Sequence, residues 1–189
     1  LFLKNGLIKR VSMAALILAG MLLILNSVWF WRLFYPIPHR DLIIKEAKIH
    51  DVEPLLVAAI IRTESKFYSK ATSNRGAIGL MQIMPDTGKW IAQQRKERGF
   101  DPRDLFRPEV NIRYGTWYLA NLSEEFNDDL VLVIAAYNGG RGNVKDWLKR
   151  EQWTGEHTTL EQIPFPETRD YVKKVLRNYE IYRELYQDI

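Results

Sequence analysis

The stretch ESKFYSKATSNRGAIGLMQIMP, residues 64–85, places a lone acid at the end of an apolar helical run and follows it with a loop of small residues. Ser73, Gly76 and Gly79 lie in that loop, and Gln82 closes it in an apolar frame. A buried proton donor beside a polar, backbone-lined groove is encoded in this way. Upstream, Asp51 is the expected N-cap of the helix, and Pro54 falls in its first turn, where a missing N–H costs little. Leu55, Leu56, Val57, Ala58, Ala59, Ile60 and Ile61 make the helix apolar almost all round, so it is expected to be buried. Val57, Ile60, Ile61 and Glu64 share one face at helical spacing, and Glu64 therefore projects from a buried helix. Desolvation and the negative end of the helix dipole both push its pKa up. A carboxylic acid kept protonated near neutral pH is what general-acid chemistry requires. From this helix alone, a solvated Glu64 pairing with Arg62 or Lys66 stands equally open.

Around this stretch, 189 residues leave room for one domain with a real core plus an appendage. Val11 to Trp31 is uncharged and mostly apolar, about the length of one bilayer-spanning helix. Lys4, Lys9 and Arg10 precede it, which favours a cytoplasmic N-terminus over residues 1–10. Trp29, Phe30 and Trp31 sit where an interfacial aromatic belt belongs. A cleaved signal peptide is the competing reading. The length of the run and its bulky aromatic end, with no A-x-A-like site, favour an uncleaved anchor over 11–31. Residues 32–40, with Pro36-Ile37-Pro38, read as a short stiff linker. Residues 41–189 then form the folded domain, on the extracytoplasmic side of the cell membrane.

The charge balance divides along the same line. All 23 acidic residues follow Tyr35, whereas four of the 27 basic ones, Lys4, Lys9, Arg10 and Arg32, precede Pro36. The 23 remaining basic residues balance the acids, so the outer domain is formally neutral. The basic excess belongs to the anchor and is no evidence for nucleic-acid binding. Zero cysteines excludes disulfides, thiol chemistry and thiolate metal sites.

Along the domain, Asp41 is expected to cap a helix over roughly 42–49. Further helices are expected from Pro85 to about Glu97, from Pro108 to about Phe126, and from Asp129 to Tyr137. One capped by Asn143 is expected over 144–150, and a long terminal one from Pro166 to Tyr186. No segment has a convincing period-2 alternation, so the domain reads as mainly α. Gly76 and Gly79 admit positive φ and close ligand approach to the main chain, which suits sugars. An ordinary tight loop with buried Leu80, Met81 and Ile83 explains them as well. Tyr137 is positioned to pack through its ring and hydrogen-bond through its hydroxyl, with the acid as one partner. A core tyrosine beside a C-capping Asn138 is the simpler account of that pair. Glu167 lies near the positive end of the last helix, where capping alone accounts for it. Tyr171 lies one turn on, along the same face. His39, His50 and His157 lack paired-ligand spacing, so no metal site or cofactor is argued. No Ser-His-Asp or Cys-His arrangement can be assembled, and Gly139-Gly140-Arg141-Gly142-Asn143 lacks the context of a phosphate loop.

Taken together and in this order, Glu64-Ser65, GAIGLMQIMP (76–85), AYNGG (136–140) and PETRDYVKKVL (166–176) resemble the soluble lytic transglycosylase family of peptidoglycan-cleaving enzymes. The likeness covers roughly Leu42 to Tyr186. It implies a lysozyme-like, mainly α transglycosylase domain with a glycan groove, here preceded by one N-terminal transmembrane helix. The family's acid, the glutamate of its Glu-Ser motif, falls on Glu64. Its loop serine corresponds to Ser73, its groove glutamine and methionine to Gln82 and Met84, its Tyr-Asn pair to Tyr137 and Asn138, and its late groove tyrosine to Tyr171. Ser69, where the family often has proline, and Gly139-Gly140, where Ala-Gly is common, are mild departures. The implied partner is the peptidoglycan glycan strand. The implied reaction cleaves the β-1,4 bond between N-acetylmuramic acid and N-acetylglucosamine and leaves a 1,6-anhydro ring. That chemistry suits a chain in which no second acid is clearly placed as nucleophile. A hydrolase on the same fold and a non-catalytic glycan-binding scaffold are the rival readings.

Overall fold

The computed structural model of the chain describes Met13 and residues 16–189. Lys4, Lys9, Arg10 and the first residues of the expected span lie outside the described residues. The chain divides into two compact units, one ending at Ile37 and the other running from Pro38 to Ile189.

In the first unit, helices α1 (Leu16–Leu25) and α2 (Val28–Phe34) meet at a bend of 62°. The single span expected over 11–31 is thus a bent pair. The cause is local. Asn26 turns its amide onto the Leu22 carbonyl at 2.8 Å. Ser27 adopts extended backbone and accepts from Phe30 N, which starts a new helix rather than continuing the old one. Among the described residues no single helix is long and apolar enough to cross a membrane, whereas the pair together has the length and composition of a span. Its apolar side chains are exposed, Leu23 at 76% and Trp29 at 70%.

The second unit is built from α3 (Arg40–Ile49), α4 (Pro54–Ser65), α5 (Pro85–Gln94), α6 (Pro108–Glu125), α7 (Leu130–Gly139), α8 (Arg141–Lys149) and α9 (Pro166–Leu185). Two 3-10 turns, Pro102–Phe106 and His157–Gln162, complete it. No sheet forms among the described residues, only isolated antiparallel bridges from Thr72 to Ile78 and from Ile78 to Ile83. The mainly α expectation holds, and proline at the first turn of α4, α5, α6 and α9 sets each start. Three caps differ from expectation. Glu53, not Asp51, caps α4 by accepting from Leu56 N at 2.6 Å; Asp51 itself has φ 53°. Asn143 lies inside α8, whose N-cap is Gly140, and its amide donates to the Gly139 carbonyl at 2.7 Å. Asp41 lies in the first turn of α3, behind a left-handed His39.

Helix α4 is the hub. Leu55 through Ile61 are all buried, as a helix apolar all round requires. It packs against α9 and α3; α7 packs against α9, α8 and α6. Ile60 and Ile61 of α4, Ile112 and Leu119 of α6, Ile134 of α7 and Val172 and Val175 of α9 are fully buried. Lys66 then turns left-handed at φ 51° and ends the helix, leaving Glu64 in its last turn.

Candidate active site

The loop after α4 is held by side chains from elsewhere in the fold. Ser65 donates to the Leu80 carbonyl at 2.7 Å, tying the last turn of α4 to the loop. Asn111 of α6 is fully buried and saturates its amide. It accepts from Met81 N at 2.7 Å and donates to the Ile78 and Leu105 carbonyls, each at 2.8 Å. Gly79 has φ +81°, and a Cβ there would sit 2.3 Å from both the Asn111 amide nitrogen and the Leu105 carbonyl oxygen. Only glycine fits. Gln82, also left-handed at φ 49°, donates its side-chain amide to the Gly79 carbonyl at 2.9 Å. Ser73 accepts from Ala77 N at 3.0 Å and so closes the turn that presents it.

Against this frame the chain forms a hollow of about 580 Å³ lined by Glu64, Ser73, Gln82, Met84, Tyr137 and Asn138 together with Asn74, Arg75, Ala77 and Glu167. Six of the seven residues singled out from the sequence thus face one cavity. The seventh, Tyr171, is buried at 7% exposure close to Glu64. Among the described residues its hydroxyl has no partner of normal hydrogen-bond geometry, yet it stands near enough to hold back part of the rise in the carboxyl's pKa. Tyr137 donates to the Met81 carbonyl at 2.9 Å rather than to the acid. It is a further tie on the loop. Thr168 donates to Asn138 Oδ1 at 2.8 Å, which leaves the amide NH₂ as the end facing the hollow.

Desolvation dominates the electrostatics at Glu64. Burial pushes the carboxyl up to about 7, the Tyr171 hydroxyl opposes the rise, and the negative charge of Glu167 adds to it. Burial, with the negative charge of Glu64 beside them, also drives the Tyr137 and Tyr171 phenols well above their ordinary value, so both stay neutral donors. Glu167, which helix capping alone explains in sequence, lines the hollow and pairs with Arg75 at 3.0 Å. The pairing of Arg75 with Glu167 escapes sequence reasoning because the two lie far apart along the chain.

The hollow continues past Gln82, Met84, Tyr137 and Asn138 into a further space of about 240 Å³ bounded by Thr87, Tyr118 and Gly140. Those three residues also bound a third space of about 500 Å³, reaching Trp90 and Arg141. The result is an extended groove with one half-buried acid at one end and an aromatic cluster at the other. Such a groove suits a polymer carrying hydroxyl and amide groups.

Two family models match the chain: the transglycosylase SLT domain over residues 41–160 and the soluble lytic transglycosylase helical domain over 162–188. The soluble lytic murein transglycosylase of Salmonella typhimurium is 36% identical over 151 residues, 79% of this chain and 23% of that protein. The crystal structure of the 70 kDa soluble lytic transglycosylase of Escherichia coli is similar at a TM-score of 0.78 and 35% identity, covering 84% of this chain and 26% of that one. An inactive glutamate-to-glutamine mutant of the Pseudomonas aeruginosa lytic transglycosylase Slt is similar at a TM-score of 0.74 and 38% identity, covering 82% and 25%. The chain therefore spans about a quarter of the length of these relatives. The four ordered motifs, the α-helical unit that carries them and these matches agree: the chain belongs to the SLT family of soluble lytic transglycosylases.

Proposed function

We propose that this protein is a peptidoglycan lytic transglycosylase in which Glu64 acts first as acid and then as base. The observation that carries the reading is a lone half-buried carboxyl at the wall of an extended polar groove, where burial pushes its pKa up to about 7. A group with that pKa is populated in both protonation states near neutral pH, as a residue that must give and then take a proton requires. Protonated Glu64 gives its proton to the glycosidic oxygen of the leaving sugar as the C–O bond breaks. The acetamido oxygen of the N-acetylmuramic acid attacks the anomeric carbon, forming a cyclic intermediate. The Glu64 carboxylate then removes the proton of the C6 hydroxyl, and that oxygen displaces the acetamido group. The 1,6-anhydro ring closes without consuming water, and Glu64 ends protonated as it began.

The remaining groove residues serve this sequence. The free amide end of Asn138 orients the acetamido group, and Ser73 and Gln82 hydrogen-bond the sugars. Met84, 40% exposed, supplies apolar contact. Tyr137 and Tyr171 hold the loop and the acid. The bent apolar pair tethers the chain to a membrane, with residues 1–10 in the cytoplasm and the groove-bearing domain outside it. Resistance of the full chain to carbonate extraction from membranes tests the tether.

Digestion of purified peptidoglycan, with products weighed by mass spectrometry, tests the reaction. The expected muropeptides are one water lighter than those a muramidase releases. Products carrying that water would establish the hydrolase instead. One observation favours that second reading: Glu167 is another carboxylate on the same hollow. Its pairing with Arg75 and its 64% side-chain exposure favour a positioning role over a nucleophilic one.

A further inference from the structure

The end of the groove away from Glu64 holds a feature that proton transfer does not use. Asp86, Thr87, Trp90, Tyr118, Gly140, Arg141 and Gly142 line it. Arg141 lies 5.1 Å from the Trp90 ring centre and 5.6 Å from that of Tyr118, while Trp90 and Tyr118 meet edge to face at 6.1 Å. The guanidinium is thus fixed against aromatic faces, a placement open to arginine and poor for lysine. One of its nitrogens pairs with Glu125 at 2.9 Å and the other terminal nitrogen donates to Asn121. A guanidinium has five donors, so donors remain for a ligand, and its side chain is 35% exposed.

The cations lie on the Arg141 side of this space, and across it Asp86 brings the count of Arg141, Lys145, Glu125 and Asp86 to zero. Glu125 is shared between Arg141 and Lys145, which leaves a surplus cation on that cluster. Asp86, the one carboxylate lining this end, lies in the first turn of α5, where the helix dipole stabilises it. Arg141 is held instead by side chains: Glu125, Asn121 and the faces of Trp90 and Tyr118. It opens α8, at the end of a helix where a cation is disfavoured and an anion favoured. Those contacts fix the guanidinium without using all its donors, and an anionic ligand would meet its spare donors and the helix end together. The aromatic faces and the Asp86 and Thr87 oxygens suit a sugar ring beside it.

We infer that Arg141 is the specificity residue of a saccharide subsite at this end of the groove, where it binds a carboxylate carried by the glycan strand. The assignment rests on the peptidoglycan-cleaving reading and deepens it. Two sources share this chemistry on such a strand: the lactyl carboxylate of an N-acetylmuramic acid without its peptide, and a carboxylate of the attached stem peptide.

Titration calorimetry on the full chain carrying Glu64→Gln decides, because the ligands then stay uncut. Three ligands of equal length are compared: a neutral chitin oligomer, a peptide-free peptidoglycan strand and a strand with stem peptides. Adding Arg141→Gln is expected to weaken carboxylate-bearing strands about tenfold, the equivalent of about 1.4 kcal/mol, and the chitin oligomer less than about twofold. Because the stem peptide is amide-linked through the lactyl carboxyl, loss confined to the peptide-free strand identifies the lactyl carboxylate. Loss confined to the peptide-bearing strand identifies the stem, and loss on both shows that either carboxylate is accepted. Arg141→Lys keeps the charge but loses the stacked, forked geometry, and is expected to weaken carboxylate-bearing strands nearly as much as Arg141→Gln does. Equal loss on all three ligands, which is what a merely structural arginine would give, overturns the inference, as does no loss on either peptidoglycan strand. Failure of the unmodified protein to cut peptidoglycan would instead refute the cleavage reading, and these binding constants would still decide the role of Arg141.

Discussion

Replacing Glu64 by glutamine is expected to stabilise the fold, and the gain should depend on pH in a prescribed way. In the unfolded chain the carboxyl has its ordinary value of 4.5; in the native groove it is pushed up to about 7. Below pH 4.5 both states carry the proton and the residue is neutral toward stability. Between 4.5 and 7 the unfolded state has lost the proton and the native state has kept it, so stability falls as pH rises. At about 1.4 kcal/mol per pH unit, the cost levels off above pH 7 at roughly 3 kcal/mol, the free energy of holding the anion where water is scarce. Glutamine is nearly isosteric and never ionises. The stability difference between Glu64→Gln and the parent should therefore grow by roughly 3 kcal/mol from pH 4.5 to pH 8, or some 6–12 °C in melting temperature at the alkaline end. Urea unfolding of the full chain, followed by helical ellipticity at half-unit pH steps for both proteins, measures it. Taking the difference between the two cancels every titrating group that does not interact with Glu64. A difference that stays flat, or that shrinks as pH rises, would refute the claim that burial sets this acid.

Three other substitutions probe the groove. Tyr171→Phe removes the hydroxyl that restrains the pKa of Glu64, so the alkaline limb of the cleavage rate should move to higher pH; a limb moving lower would contradict the geometry. Glu167→Gln removes the neighbouring negative charge, so the same limb should move to lower pH while turnover persists near neutrality. A loss of activity of about a thousandfold or more in that variant would assign Glu167 a chemical step and favour the hydrolase. Asn111→Leu strands Met81 N–H and the Leu105 carbonyl in the interior, whereas the Ile78 carbonyl keeps its bond from Ile83 N. At about 1–3 kcal/mol for each orphaned group, denaturant unfolding should show a loss of at least about 2 kcal/mol.

Much of this architecture is legible along the chain. The run from Leu55 to Ile61 announces a buried helix, four prolines mark helix starts, and the position of Glu64 at the end of that run implies its raised pKa. These are local signals, set by periodicity and by backbone chemistry within a few residues. The cap of α4 is misread because Asp51 and Glu53 compete for the role and the choice falls to Glu53, whose backbone is extended; that of α8 is misread because Gly140, at φ 88°, opens the helix before Asn143. The same competition at Asn26-Ser27 bends what composition presents as one apolar span. The pairing of Arg75 with Glu167, and of Arg141 with Trp90, lies beyond any local signal, since packing alone joins segments so distant in sequence. Asn111 is the instructive omission. A lone asparagine inside a helix reads as a solvated residue, and only its burial reveals three saturated hydrogen bonds.

That asparagine also governs how the groove can fail. Because one side chain fastens the glycine loop to α6 and to the turn at Leu105, the substrate-facing backbone has no private route to opening. Its amides should exchange with solvent only when the whole domain lets go, in the slowest cooperative class rather than with the surface turns. The groove then behaves as rigid masonry. A glycan strand meets a binding surface already shaped, and spends little of its binding energy on ordering the protein.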